Sequence, residues 1–242
     1  MSVAAPDPLG ALLSWEGVSA AYAAARDGID ARLRDRGLRR TTPEQTAESL
    51  LRGAHASAVL DGSAADLEEM RRGPADPIAR AALRLSTELL ALVPVLTRAP
   101  LQALARLHTL AAADLPGAAG GAGRPRDAAA AKRLQGVARL LAGGTSAPAL
   151  VVAAVAHAEV ATSAPFGSRD ALVARALERI VLVATGVDAR AVLVPEAGHL
   201  ALRSAYERRL VGYRDDGRAG VHAWLLYAAD AYGAGAEASP LG

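Results

Sequence analysis

The sequence predicts an all-α fold, on two observations. Apolar residues recur at three- and four-residue intervals through most of the chain, separated by short polar or Gly/Pro breaks. Hydrophobic residues make up 52% of the 242 residues but aromatic residues only 3%, so the core must be built from Ala, Leu and Val. That composition favours helices over strands. The length suits one domain with a full core.

Residues 1–40 read as an N-terminal helical segment. Within it, apolar positions from about Val18 to Arg36 keep helical spacing and end at Gly37. The main helical domain is expected over 41–235. Thr42 is a good N-cap, with Pro43 at the first helical position and Gln45 three residues on, and the helix should run to about Leu60 and stop at Asp61-Gly62. Ser63 can cap a short helix through Met70. Asp76-Pro77 opens another, with Ile78, Ala82, Leu85, Leu89 and Leu92 as its buried stripe. Leu101, Leu104, Leu107 and Leu110 mark a helix after Pro100.

The largest break follows, a glycine-rich segment from Leu115 to Asp127, read as a connector or as a loop that must move or approach something closely. Helices near 129–142 and 147–162 lead to a Pro-Phe-Gly turn at 164–168. Another runs from about Asp170 to Ala184, and two more lie near 199–211 and 219–233. Residues 236–242 read as a disordered tail.

Several function classes are excluded. With 27 basic and 25 acidic residues the formal charge is +2, too balanced for a nucleic-acid surface. There is no cysteine, hence no disulfide or thiolate metal site. The first residues lack a basic leader, and no uninterrupted apolar run reaches about 18 residues, so a cytoplasmic protein outside the membrane is expected. The glycines at 117–123 precede Arg-Pro-Arg and not Gly-Lys-Ser/Thr, and no strand precedes them, which excludes a Walker loop and a dinucleotide fingerprint. No Ser sits in a G-x-S-x-G elbow, and no closely spaced His/carboxylate set suggests a metal.

Chemistry, if any, belongs to the turn at 164–168. A helix, a tight Pro-Phe loop and a second helix opening with polar residues can present backbone N–H groups to an anion. The stretch resembles the core of the Fic (Fido) family, whose signature is H-P-F-x-x-G-N-G-R-x-x-R. Pro165, Phe166 and Arg175 match it, whereas Ala164 stands at the catalytic histidine. Around the core, Leu107-His108, the Gly123-Arg124-Pro125-Arg126 stretch and His157, seven before Ala164, fall where the family has similar residues. Ser57, Asp61 and Gly62 are similar to its inhibitory motif Ser/Thr-x-x-x-Glu-Gly/Asn, with Asp for Glu. The resemblance spans roughly 45–190, with an inhibitory-like helix at 43–62 and a core at 147–185.

The resemblance implies a single Fic-like helical domain with a glycine-rich flap, a short β-hairpin being one form for it, before the core helix-loop-helix. The family's histidine acts as general base on a target hydroxyl that attacks the α-phosphate of a nucleotide, usually ATP; an alanine methyl cannot accept that proton. The G-N-G-R positions hold Arg169, Asp170, Ala171 and Leu172. Ala171 should resist the positive φ of a glycine, Asp170 brings negative charge to an anion site, and Leu172 has no donor. Ser168, where a metal-binding carboxylate is usual, is a poor Mg²⁺ ligand. Phe166, Gly167, Ser168, Arg169 and Arg175 remain candidates for an anion or nucleotide, with Arg124 and Arg126 added from the flap. No catalytic and no metal residue is assigned. ATP with Mg²⁺ is a cofactor only if the anion site is retained.

In inhibited members the acidic residue of the motif bonds the last arginine, so Asp61 should pair with Arg175, through a water or a closer helix because Asp is short. His157 and His108 read as packing residues and Glu159 as solvated. Three functions follow: a Fic-fold binding or scaffold module without ordinary AMP transfer, an enzyme of altered nucleotidyl or phosphoryl transfer in the same pocket, or a non-enzymatic helical regulatory partner. The partner protein is not legible, and a homodimer through surface helices is left open.

Overall fold

The computed structural model describes Asp7, residues 9–35 and residues 41–241. Arg36 and Gly37, the expected end of the first helix, lie outside the described residues. A 3-10 turn, Gly10–Ser14, precedes α1 (Val18–Asp35), which buries Val18, Tyr22, Ala25, Ile29 and Leu33 at the spacing of one helix face.

Helix α2 (Pro43–Leu60) starts as expected: the Thr42 hydroxyl accepts from the Gln45 N–H and the Gln45 side chain returns the bond, and the helix stops at Asp61. The next cap is a correction. The Ser63 hydroxyl accepts from Ala65 N–H instead, and Asp66 caps α3 (Leu67–Arg72) in a reciprocal pair with Glu69. Asp66 wins because Glu69 stands three residues on, completing the capping box that Ser63 lacks. Asp76 caps α4 (Pro77–Arg98) through Ile78 and Ala79 N–H, and α5 (Pro100–Ala111) follows. The glycine-rich segment contains no strand; it carries one helical turn, α6 (Ala118–Gly121), so the hairpin form of the flap is not adopted. Its glycines and alanines lack the β-branched and aromatic side chains that a paired strand needs.

Helices α7 (Ala128–Leu141), α8 (Ala149–Ser163) and α9 (Asp170–Ala184) lie close to expectation. The stretch predicted as a helix at 199–211 is two, α10 (Pro195–Ala201) and α11 (Arg203–Asp215), broken at Leu202, whose φ of −107° and ψ of 28° leave helical geometry. The last helix, α12 (Gly217–Glu237), outruns its expected end. The tail read as disordered packs back: Ala236, Ser239 and Leu241 are buried. Its few apolar atoms find a surface, which composition alone does not reveal.

Helices α8 and α9 lie side by side at the centre, with α4, α5, α7 and α11 among their neighbours. Leu172 through Leu182 are all buried, so α9 is enclosed on every side, and that run includes Arg175, Glu178 and Arg179. A buried charge must be paired or bonded, and these three organise the centre. At Gly198 a Cβ would lie 2.0 Å from the Ala231 carbonyl oxygen, so α10 and α12 pack backbone to backbone there. Among the described residues no helix is long and apolar enough to cross a membrane.

Candidate functional site

The α8–α9 loop turns through three left-handed residues: Ala164 (φ 42°), Gly167 (φ 76°) and Arg169 (φ 56°). Ala164 caps α8, its N–H bonding Val160 O, and Arg169 is the N-cap of α9. The strain expected at Ala171 falls elsewhere. Ala171 lies in the first turn of α9 with ordinary helical geometry, and Arg169, at the first glycine position, takes the left-handed conformation.

Asp170 occupies the loop's own anion position. Its carboxylate accepts the Phe166 N–H at 2.9 Å, and the Gly167 and Ser168 N–H groups also stabilise its charge. Burial nevertheless outweighs these bonds and pushes the carboxyl above the ordinary aspartate range. The backbone donors that could serve a phosphate are turned onto a side chain four residues along.

The flap closes over this loop. Arg126 N–H donates to Pro165 O at 2.9 Å, and its side chain lies beside Gly167, where a Cβ would be 3.7 Å from Arg126 Cδ. Gly123, at φ 80°, comes so near α5 that a Cβ would lie 2.9 Å from Ala105 O and Thr109 Oγ1, and this close approach is what the glycine permits. Its N–H donates to His108 Nδ1 at 2.8 Å. The His108 ring stacks on Phe166 at a centroid distance of 4.3 Å, and its Nε2 meets Ser168 Oγ at 3.3 Å. Because Nδ1 accepts, a neutral His108 carries its proton on Nε2 and donates to Ser168. It cannot take the serine proton, so this pair is not a nucleophile and base. Burial also holds His108 below its usual range.

The remaining candidates divide. Arg124 is exposed, and Arg126 reaches Asp127 at 3.4 Å as well as the loop. The Arg169 side chain lies towards Asp76, a carboxyl held low by the Ser63 hydroxyl, with the N–H groups of Ala79 and Ile78 and the Arg169 charge adding to the effect. Leu172 is buried in the core.

Arg175 is wholly committed to the protein. Nε donates to Ser57 Oγ at 2.8 Å, Nη2 to Ser57 O at 3.1 Å and to Asp61, and Nη1 to Tyr206 Oη at 3.1 Å. Asp61 reaches Arg175 directly, where a bridging water had been the alternative. These neighbours keep the guanidinium charged in spite of full burial. Glu159, expected in solvent, accepts from Tyr213 Oη at 2.9 Å and Arg133 at 3.4 Å, because α11 and α7 flank α8.

Sequence reasoning missed one cluster. His157 (α8), Glu178 (α9) and His199 (α10) are all fully buried, with His157 Nδ1 and His199 Nε2 each 2.8 Å from Glu178 Oε2. Tyr232 Oη donates to Glu178 Oε1 at 2.9 Å, Tyr206 Oη meets His157 Nε2 at 2.9 Å, and Tyr227 Oη meets His199 Nδ1 at 2.8 Å. No local spacing announces a set drawn from three helices. The only signal was the presence of ionisable residues inside strongly apolar runs.

No family model matches the sequence, and no curated protein matches it. Among solved structures, the crystal structure of a Fic family protein from Desulfovibrio desulfuricans G20 aligns with a TM-score of 0.78 at 16% identity, covering 93% of this chain and 74% of that one. At that identity the likeness shows the fold, and this chain has the Fic fold as an all-α domain.

Proposed function

We propose that this Fic-fold protein has lost ordinary nucleotidyl transfer and serves as a binding or scaffold module. The observation that carries the reading is the Asp170 carboxylate on the Phe166 N–H, an internal anion at the loop's donor groups. Three further features support it. Ala164 offers no base, Leu172 no donor, and Arg175 is spent on Ser57, Asp61 and Tyr206. The ligand under this reading is a protein in the cytoplasm, for which a second copy of the chain is one candidate, and not a nucleic acid.

The test is calorimetric titration with ATP, GTP and CTP, with and without Mg²⁺. The wild type should give no heat. A dissociation constant below about 1 mM, equivalent to about 4 kcal/mol, that weakens in Arg175→Ala would overturn the reading. It would favour the alternative, altered phosphate or nucleotide transfer in the same pocket. That alternative draws support from Arg126 and Arg169 beside the loop, and it would need a base other than His108. Asp170→Gly removes the internal anion, so ATP binding in this variant alone would identify the carboxylate as the block.

A further inference from the structure

We propose that His157, Glu178 and His199 form a buried site for one divalent transition-metal ion of the zinc class, pinning α8, α9 and α10 together. The inference goes beyond the scaffold reading and holds whether or not a nucleotide binds at the loop.

The donor chemistry is that of a borderline cation: two imidazoles and a carboxylate, in a chain without cysteine. The three ligand atoms lie within 4.8 Å of one another, and all three residues are sealed from solvent. Of the five histidines, His55 and His222 are partly exposed and belong to other parts of the surface, and His108 serves the flap. His157 and His199 are the pair that converges on a carboxylate.

Charge supplies the second argument. Glu178 is a fully buried carboxylate, and the cationic Arg175 near it is committed to Asp61. A buried carboxylate needs a cationic partner, and the ring nitrogens of His157 and His199, each 2.8 Å from Glu178 Oε2, are placed to share one ion with it. An outer shell is also in place. Tyr206 and Tyr227 oxygens stand against the ring nitrogens that face away from Glu178, where metal-bound histidines carry a hydrogen-bonded N–H.

The separations of 2.8 Å are those of hydrogen bonds. Coordination would shift each bridging proton to the other nitrogen of its ring, put the ion in the vacated position and widen these gaps to about 3.0–3.3 Å, given metal–nitrogen and metal–oxygen bonds near 2.0–2.2 Å. Each ring's single proton would then sit on the nitrogen facing tyrosine, whose oxygen would accept it.

The 242-residue chain, without an affinity tag, is produced in zinc-supplemented and in cobalt-supplemented medium, washed with chelator and assayed for metal by mass spectrometry. About one ion per chain is expected, with visible d–d bands in the cobalt form. His55→Gln with His222→Gln should retain the ion, and His199→Gln should lose it. The wild type, unfolded and refolded in chelator, should melt several degrees lower, and zinc present during refolding should restore the loss. Less than a tenth of an equivalent in both wild-type preparations, with identical melting in zinc and in chelator, overturns the proposal and leaves a cluster held by hydrogen bonds only. Loss of the ion from the surface double variant overturns it as well. Because the wild type alone decides the first outcome, a cluster variant that fails to fold does not shelter the idea.

Discussion

Replacing Arg175 with alanine removes a guanidinium that is 1% exposed and bonds Ser57 Oγ, Ser57 O, Tyr206 Oη and Asp61. What remains is worse than what is lost. The Asp61 carboxylate, its side chain 17% exposed, is left without its counter-ion, and the Ser57 carbonyl and the Tyr206 hydroxyl each lose a donor. Breaking a buried ion pair from one side costs about 3–5 kcal/mol. Residual solvent at Asp61 argues for the lower end, about 3 kcal/mol. For a chain of this length that corresponds to a fall in Tm of roughly 6–12 °C, at about 2–4 °C per kcal/mol.

Urea unfolding of the wild type, Arg175→Ala, Asp61→Ala and the double variant would test the reasoning. Both single changes should shift the midpoint with little change in slope. The double variant should cost less than their sum by about 1–2 kcal/mol, as contacting partners do. A loss under about 1 kcal/mol in Arg175→Ala, or strictly additive singles, would refute it: the pair would then not couple α2 to α9.

Further outcomes are expected elsewhere. Ala164→Gly should stabilise by about 1 kcal/mol, because a left-handed alanine gives way to the residue that adopts φ of 42° freely; chemical denaturation would show it, and a destabilised variant would contradict the geometry. Gly198→Ala should destabilise by at least about 1–3 kcal/mol, since its Cβ would meet the Ala231 carbonyl oxygen at 2.0 Å and neither helix can yield; an unchanged melting temperature would mean that α10 and α12 sit farther apart.

A pH effect should also appear. His157, facing Glu178 on α9, His199 on α10, Tyr206 on α11 and Trp224 on α12, has its pKa lowered on folding, mainly by burial. The unfolded state therefore binds the proton first, and the His157 contribution to stability is lost as pH falls below about 6.5. His157→Gln should flatten the wild-type stability curve between pH 6.5 and 5, and equal slopes would count against a neutral buried ring. Asp170 runs the opposite way: its raised carboxyl binds the proton more tightly when folded. Stability relative to Asp170→Asn should therefore decline as pH rises above about 3.9. A difference that does not change with pH would mean that the carboxylate is solvated.

Much of the fold is legible from local chemistry. The Thr42–Gln45 capping box, the Asp76-Pro77 start and the stripe through Leu85, Leu89 and Leu92 are properties of neighbouring residues, and each stands where the pattern puts it. The Ser57–Asp61 spacing placed both residues on one turn of α2, and the motif order put Arg175 opposite them, so that contact too was within reach of the sequence. Where local signals compete, the sequence leads astray, as at Ser63 against Asp66. Where a chain end depends on distant surface, as at Leu241, it offers no guide.

Sequence by itself determined a helical chain with a Pro-Phe-Gly turn lacking the histidine base, since helix propensity, capping and the identity of residue 164 are local facts. Tertiary structure alone decided that Asp170 turns its carboxylate onto the loop's own N–H groups, and that His157, Glu178 and His199 meet. Those outcomes depend on the turn of one loop and on three helices packing at hydrogen-bond distance. Burial then shifts Asp170 and His157 from their ordinary ranges, and burial belongs to the packed chain as a whole.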